Sequence, residues 1–196
     1  MPRPRLHATE DLLDAAAALA AAHGPAGVTM GAVADSAGAP SGSLYHRFGS
    51  RAGLLAEVWL RTVTSFQAGY LAALEHEPVL EACVDAARHV VAWSREHPRE
   101  LRILLRGPGG FEVAAAPEDV RERIDAVQRR LEAAWRRAAA RLPGEEEDAL
   151  EIIVLTTVEL PNAVARRHLP AGAIPERVDV VLERSVRAIV TDWLER

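Results

Sequence analysis

The chain has 196 residues, a single cysteine (Cys83) and no lysine. A lone cysteine cannot close an intramolecular disulfide, which excludes the small secreted scaffolds that depend on them. Long apolar runs are missing too. The longest uncharged run, residues 15–34, is alanine-rich and is broken by His23-Gly24-Pro25, so neither a bilayer span nor a signal segment is expected. With no processing signal ahead of the first helical pattern, the expected setting is cytoplasmic, away from membranes. Alternating apolar and polar residues bounded by hairpin turns do not occur, which leaves no candidate β-sheet. Catalytic signatures are equally scarce. Gly107-Pro108-Gly109-Gly110 lacks the Lys-Ser/Thr of a phosphate loop and reads as a helix terminator. His89 and His97 stand eight apart without a Glu or Cys at ligand spacing, so no metal site is expected. The serines lack a nucleophile elbow. No enzymatic activity and no cofactor are expected.

What is present is helical. With 49% hydrophobic and 26% charged residues the chain should fold as a soluble globule. The spacing predicts an all-α fold of about nine helices: Thr9 to Ala22, Met30 to Ala37, Gly42 to Phe48, Arg51 to Leu74, Val79 to His97, Arg99 to Leu105, Glu118 to Arg141, Glu145 to His168 and Pro175 to Leu194. Thr9, Thr29, Ser41 and Ser50 are candidate caps, and Leu12, Leu13, Ala16, Leu19 and Ala20 a buried stripe. Short capped helices give way to long ones near residue 50, which predicts two domains, 1–50 and 51–196. The net charge is −5, but residues 1–51 balance Arg3, Arg5, Arg47 and Arg51 against Glu10, Asp11, Asp14 and Asp35. The acidity belongs to the C-terminal part, so overall charge does not exclude a polyanionic partner for the N-terminal region.

Residues 33–45 have helix-turn-helix spacing. Ala34 is small where two helices must approach, Gly38 can take a left-handed turn, and Leu44 returns an apolar side chain to the core. On the second helix Ser41, Ser43, Tyr45 and His46 have no evident packing role and suit phosphates and base edges in a major groove. Gly27-Val28-Thr29-Met30, Val33-Ala34, Ala37-Gly38, residues 41–48 (SGSLYHRF) and residues 50–55 (SRAGLL) together resemble the N-terminal signature of the TetR family of transcriptional regulators, over about the first 55 residues. The resemblance implies a homodimeric, all-helical repressor that binds a palindromic double-stranded DNA operator and is released by a small-molecule effector held in a variable C-terminal domain. It places phosphate contacts at Thr29, Tyr45 and Arg51, and groove-lining positions at Ser41, Gly42, Ser43 and His46. Many members carry Lys or Arg where Ser41 stands, and some carry Arg where Gly31 stands. The recognition surface here therefore has less charge, and the salt-dependent part of affinity should rest on Arg3, Arg5, Arg47 and Arg51. Arg3 and Arg5 precede the first helix as a candidate arm.

In the second domain the apolar character of residues 150–160 nearly all round, and the recurrence of Val178, Val181, Leu182, Ser185, Ile189 and Trp193, predict a two-helix interface shared with a second copy, with Ile153 and Leu160 contributing. Candidate effector-pocket residues are the aromatics Trp59, Phe66, Tyr70, Trp93, Phe111 and Trp135, with His89, Arg106 and Glu159 as polar anchors. Pro161 should kink its helix just after Glu159. The reading from another class is an α-helical small-molecule-binding or interaction protein that does not bind an operator.

Overall fold

A computed structural model describes residues 9–195. Arg3 and Arg5 lie outside the described residues. Every regular element among the described residues is helical. In chain order they are α1 (Thr9–His23), α2 (Met30–Ala37), α3 (Ser41–Phe48), α4 (Arg51–Leu74), α5 (Val79–Glu96), α6 (Pro98–Leu104), the single turn α7 (Gly107–Gly110), α8 (Glu118–Ala139), α9 (residues 146–168) and α10 (Arg177–Leu194). The one element beyond the expected nine is α7, where the glycines read as a terminator. Pro108 in its first turn starts a helix that three glycines cannot propagate.

The described chain packs as two compact units. One comprises residues up to Val63 together with Arg99–Asp125; the other comprises Thr64–Pro98 together with Ala126 onward. The sequence suggests one boundary, near residue 50. By packing, the boundaries instead fall inside α4, near the start of α6 and inside α8.

In the first unit α1 buries Leu12, Leu13, Ala16, Ala17 and Ala20, while Leu19 stays half-buried. Thr29 caps α2, its hydroxyl accepting the Ala32 N–H at 3.1 Å. Gly38 ends α2 in the left-handed conformation, at φ 63° and ψ 29°, and its N–H donates to Ala34 and Asp35 carbonyls. Ala39 N–H donates back to Ala34 O at 2.9 Å, so this tight turn fixes the angle at which α3 departs. Ser50 caps α4 by accepting the Gly53 N–H at 3.0 Å.

In the second unit α5 buries a continuous face that includes Ala82, Cys83, Ala86, Ala87, Val90 and Val91, and it packs mainly on α10 and α9. Ion pairs flank that apolar contact. Arg187 grips Glu81 with two bonds (2.6 and 2.9 Å) and Glu183 at 3.0 Å, and Arg88 reaches Glu183 at 2.6 Å. The Arg187 guanidinium holds both carboxyls below the usual carboxylate range. Arg95 joins Asp179 at 2.8 Å and the Ile174 carbonyl at 3.0 Å. Helix α9 is α-helical over Glu146–Val154 and Leu160–His168 but widens to a π turn over Leu155–Glu159, where Leu160 N–H donates to Leu155 O. The cause is Pro161. It donates no N–H, and its ring would strike the Thr157 carbonyl in a regular helix, so the widened turn answers the expected kink.

Candidate nucleic-acid interface

Helix α3 is anchored on one side and free on the other. Leu44 is fully buried and Phe48 nearly so, four residues apart on the same face of the helix. That leaves Ser41, Gly42, Tyr45 and His46 exposed, with Tyr45 at 55% and Ser43 half-buried. A tyrosine so exposed beside serines and a histidine presents hydrogen-bonding groups without a protein partner to satisfy, which is the requirement for reading phosphates and base edges. Gly42 adds nothing to the surface, and a side chain there would meet open space. The same is true of Gly31, exposed on α2. The face therefore has room for close backbone approach of a large partner.

Two arginines expected to carry the salt-dependent part of affinity are occupied. Arg47 donates to the Thr9 hydroxyl at 3.2 Å and so ties α3 to the start of α1. Arg51 is turned inward. Its Nε donates to Val28 O and one terminal nitrogen to Pro25 O, both at 2.6 Å, while the other terminal nitrogen pairs with Glu112. One side chain thus clamps the Pro25–Gly27 turn that links α1 to α2, and its own charge is met by a carboxylate. Glu112 holds a left-handed backbone, φ 53°, uncommon for a residue with a side chain. Thr29 is exposed but uses its hydroxyl as a cap. Sequence reading missed this clamp because nothing local in the sequence pairs residue 51 with residue 112.

The expected pocket residues are divided between the two compact units. Trp59 and Phe111 belong to the first unit, both buried, with ring centroids 6.0 Å apart. Arg106, also in that unit, is exposed. Phe66, Tyr70, His89 and Trp93 form a cluster in the second unit: Phe66 stacks on Tyr70 (5.6 Å), meets Trp93 edge-on (5.3 Å) and lies 5.5 Å from His89. Trp135 joins it, its indole N–H donating to the Tyr70 oxygen at 2.9 Å. Glu159 is exposed. The hydroxyl of Thr157 donates to Ile153 O at 2.7 Å, so the 2.6 Å bond between Tyr70 and Thr157 must run from the tyrosine. The polar relay Trp135, Tyr70, Thr157, Ile153 is then directional and saturated. Burial pushes the Tyr70 phenol up to about 12, and the Cys83 thiol, buried nearby, up to about 11. Burial also lowers the His89 pKa, although its Nε2 bonds Phe66 O at 2.9 Å. Thr157, buried at the π turn, was not legible as part of the cluster. Pro161, four residues on, was the available signal.

Of the expected interface residues, Ile153 and Leu182 are buried within this chain, at 0% and 4% exposure, where the monomer's own packing already uses them. Leu160, Val178, Ser185, Ile189 and Trp193 are half-buried, and Trp193 donates its N–H to Pro143 O at 2.8 Å. The most exposed large apolar side chains on α10 are Val180 and Val181, and Leu150, Val154, Leu155 and Val158 line a half-exposed strip of α9.

Residues 12–58 match the family model of bacterial regulatory proteins, tetR family. Among curated proteins none matches the sequence. Solved structures share the fold over nearly the whole length. A transcriptional regulator from Rhodococcus sp. Rha1 is 19% identical, with 93% of this chain and 96% of that one covered, at a TM-score of 0.72. The TetR family regulator PfmR from Thermus thermophilus is 21% identical, with 92% and 97% covered, at 0.64. FadR from Bacillus subtilis, solved with stearoyl-CoA, is 14% identical, with 93% and 97% covered, at 0.67. The helix-turn-helix segment is thus similar in sequence to the tetR family of bacterial regulatory proteins, and the all-helical fold is shared with solved transcriptional regulators over nearly the whole chain.

Proposed function

We propose that the chain is a homodimeric repressor that binds a palindromic operator and is released by a small-molecule effector. The observation that carries this reading is the exposed face of α3, where Tyr45, His46, Ser41 and Ser43 stand on a helix anchored from behind by Leu44 and Phe48. The region of residues 1–50 is assigned the DNA-binding role and residues 51–196 effector binding and dimerisation. In this reading Thr29, Tyr45 and the serines meet phosphate and base edges. Arg51 contributes by holding the α1–α2 connection, and Arg47 by holding α3. In this reading Arg3 and Arg5, which precede α1 in the sequence, contribute positive charge. A fluorescence-anisotropy titration on the chain's own upstream DNA tests it: Tyr45→Ala with His46→Ala should weaken binding at least about tenfold, given about 1–3 kcal/mol for a good base contact, with unfolding unchanged. Equal binding by the variant would remove α3 from the interface.

The second copy is supported by apolar surface that a monomer leaves in water, above all Val181, 65% exposed, with the half-exposed strip of α9 in the same unit. Reading successive major grooves requires two copies of α3 about 34–36 Å apart, one turn of duplex, and a twofold dimer supplies the two copies. Val181→Asp should give monomers in sedimentation analysis with unchanged monomer stability. Dimers indistinguishable from wild type would place the interface elsewhere. The fold shared with FadR, solved with stearoyl-CoA, agrees with a helical unit that accommodates an effector. An effector that prefers the non-binding arrangement would lower operator affinity by its differential affinity, about 5 to 150-fold for a coupling of roughly 1–3 kcal/mol.

A further inference from the structure

The polar atoms of the aromatic cluster divide into satisfied and unsatisfied sets. Trp135, Tyr70 and Thr157 close their relay, and His89 bonds Phe66 O through Nε2. Trp93 does not share in this. Its side chain is buried, with 5% exposure, and no acceptor reaches its indole N–H among the described residues. The hydroxyl of Ser94, the next residue, is also buried without a partner. A buried donor left unmade is expensive, and native proteins leave few of them. Two further rings contact Trp93 directly. Phe66 meets it edge-on, and His97, half-buried at the end of α5, lies over it with ring centroids 4.8 Å apart. Gly69 is part of the same construction. A side chain there would strike the His89 imidazole, so a glycine, otherwise unfavourable in a helix interior, lets that ring approach α4 closely.

We infer that Trp93 is a ligand-binding residue whose indole N–H donates to the carbonyl oxygen of an uncharged, planar aromatic molecule, which takes the place of His97 on the Trp93 ring. The inference rests on the reading above for its regulatory meaning and deepens it by naming the effector's chemical class. The polarity follows from the donor: an indole N–H only donates, so the ligand must bring an acceptor. The lack of charge follows from the neighbours. Burial pushes the Tyr70 phenol up to about 12 and disfavours the charged form of the His89 imidazole, so these rings offer no counter-charge to an ion leaving water. The shape follows from the rings, which favour offset or edge contacts with a flat partner. Moving His97 supplies the room.

Isothermal titration of the full chain with three probes of one outline tests this: β-acetylnaphthalene, β-ethylnaphthalene and β-naphthoate. The ketone should bind about tenfold more tightly than the hydrocarbon, the effect of one hydrogen bond to a buried donor, and the carboxylate most weakly. Trp93→Phe keeps the ring, loses the donor and should reduce the ketone's advantage to about onefold. His97→Ala, which removes the cover, should tighten both neutral probes. Equal binding of ketone and hydrocarbon by the wild-type chain would overturn the inference without any variant having to fold. So would a preference that survives Trp93→Phe, strongest binding by the carboxylate, or binding of no probe up to millimolar concentration. Anisotropy on upstream DNA in the same samples separates the two readings: a ketone that binds with the expected preference while DNA affinity stays constant supports the site and removes its effector role.

Discussion

The two compact units handle polar groups in opposite ways. In the unit that carries α3, hydrogen-bonding side chains are turned outward and left open: Tyr45, His46 and Ser41 are exposed, and the deeper polar work is done by Arg51 on main-chain carbonyls. In the unit that carries α5, polar side chains are turned inward and closed on one another. Tyr70, Thr157 and Trp135 bond in a directional chain beneath the π turn of α9. A surface built to meet a large hydrated partner needs free donors and acceptors, whereas an interior can hold such groups only if they are paired. The contrast explains why the conspicuous exception inside, Trp93, points to a missing partner.

The sharpest way to break this comparison is at Arg51. Its side chain is only partly exposed and makes three charge-assisted bonds, so Arg51→Ala should cost roughly 2–3 kcal/mol in chemical denaturation and weaken DNA binding at least tenfold by loosening the α1–α2 connection. Arg51→Lys, with a point charge instead of a fork, should recover less than half of that stability. If Arg51→Ala leaves stability untouched but still abolishes DNA binding, Arg51 is a direct phosphate contact and the clamp is incidental.

A smaller effect is expected at Tyr70. Replacing it with phenylalanine leaves the Trp135 N–H and the Thr157 oxygen without their partner, at a cost of about 1–2 kcal/mol, while operator affinity should stay within about twofold. A large loss of DNA binding in Tyr70→Phe would show that the buried relay governs α3 and would blur the contrast. The smallest effect is electrostatic. Burial lowers the folded-state pKa of His89 below its unfolded value, so the unfolded chain takes up the proton first. Stability should therefore decline as pH falls below about 6.5. His89→Gln should flatten that part of the profile, and a variant with the wild-type slope would assign the dependence to other groups.

Legibility in the sequence follows the same division. The short helices at the N-terminus announce themselves through caps and a left-handed glycine, because Thr29, Gly38 and Ser50 act on backbone within three or four residues of themselves. The outward face of α3 was readable because Leu44 and Phe48 fix which side is buried. The aromatic cluster was half readable. Phe66, Tyr70, His89, Trp93 and Trp135 stood out as residue types, but Trp59 and Phe111 carried the same signal and pair with each other in the other unit. Ring identity gives no information about which helix faces which. Long-range partners were invisible altogether: Arg51 meets Glu112 across 61 positions, and Tyr70 meets Thr157 across 87. In the last helices periodicity marked apolar positions without ranking them, so Ile153 and Leu182, which the chain buries for itself, read no differently from Val181, which it leaves in water.

The central claim is that the outward face of α3 reads duplex DNA, in two copies set one helical turn apart. Hydroxyl-radical footprinting of the wild-type chain on its upstream DNA addresses it directly. The expected pattern is two protected patches on one side of the duplex, centred about 10 base pairs apart, both lost in Tyr45→Ala with His46→Ala. A single patch, or a pair whose protection survives those two substitutions, would contradict the account.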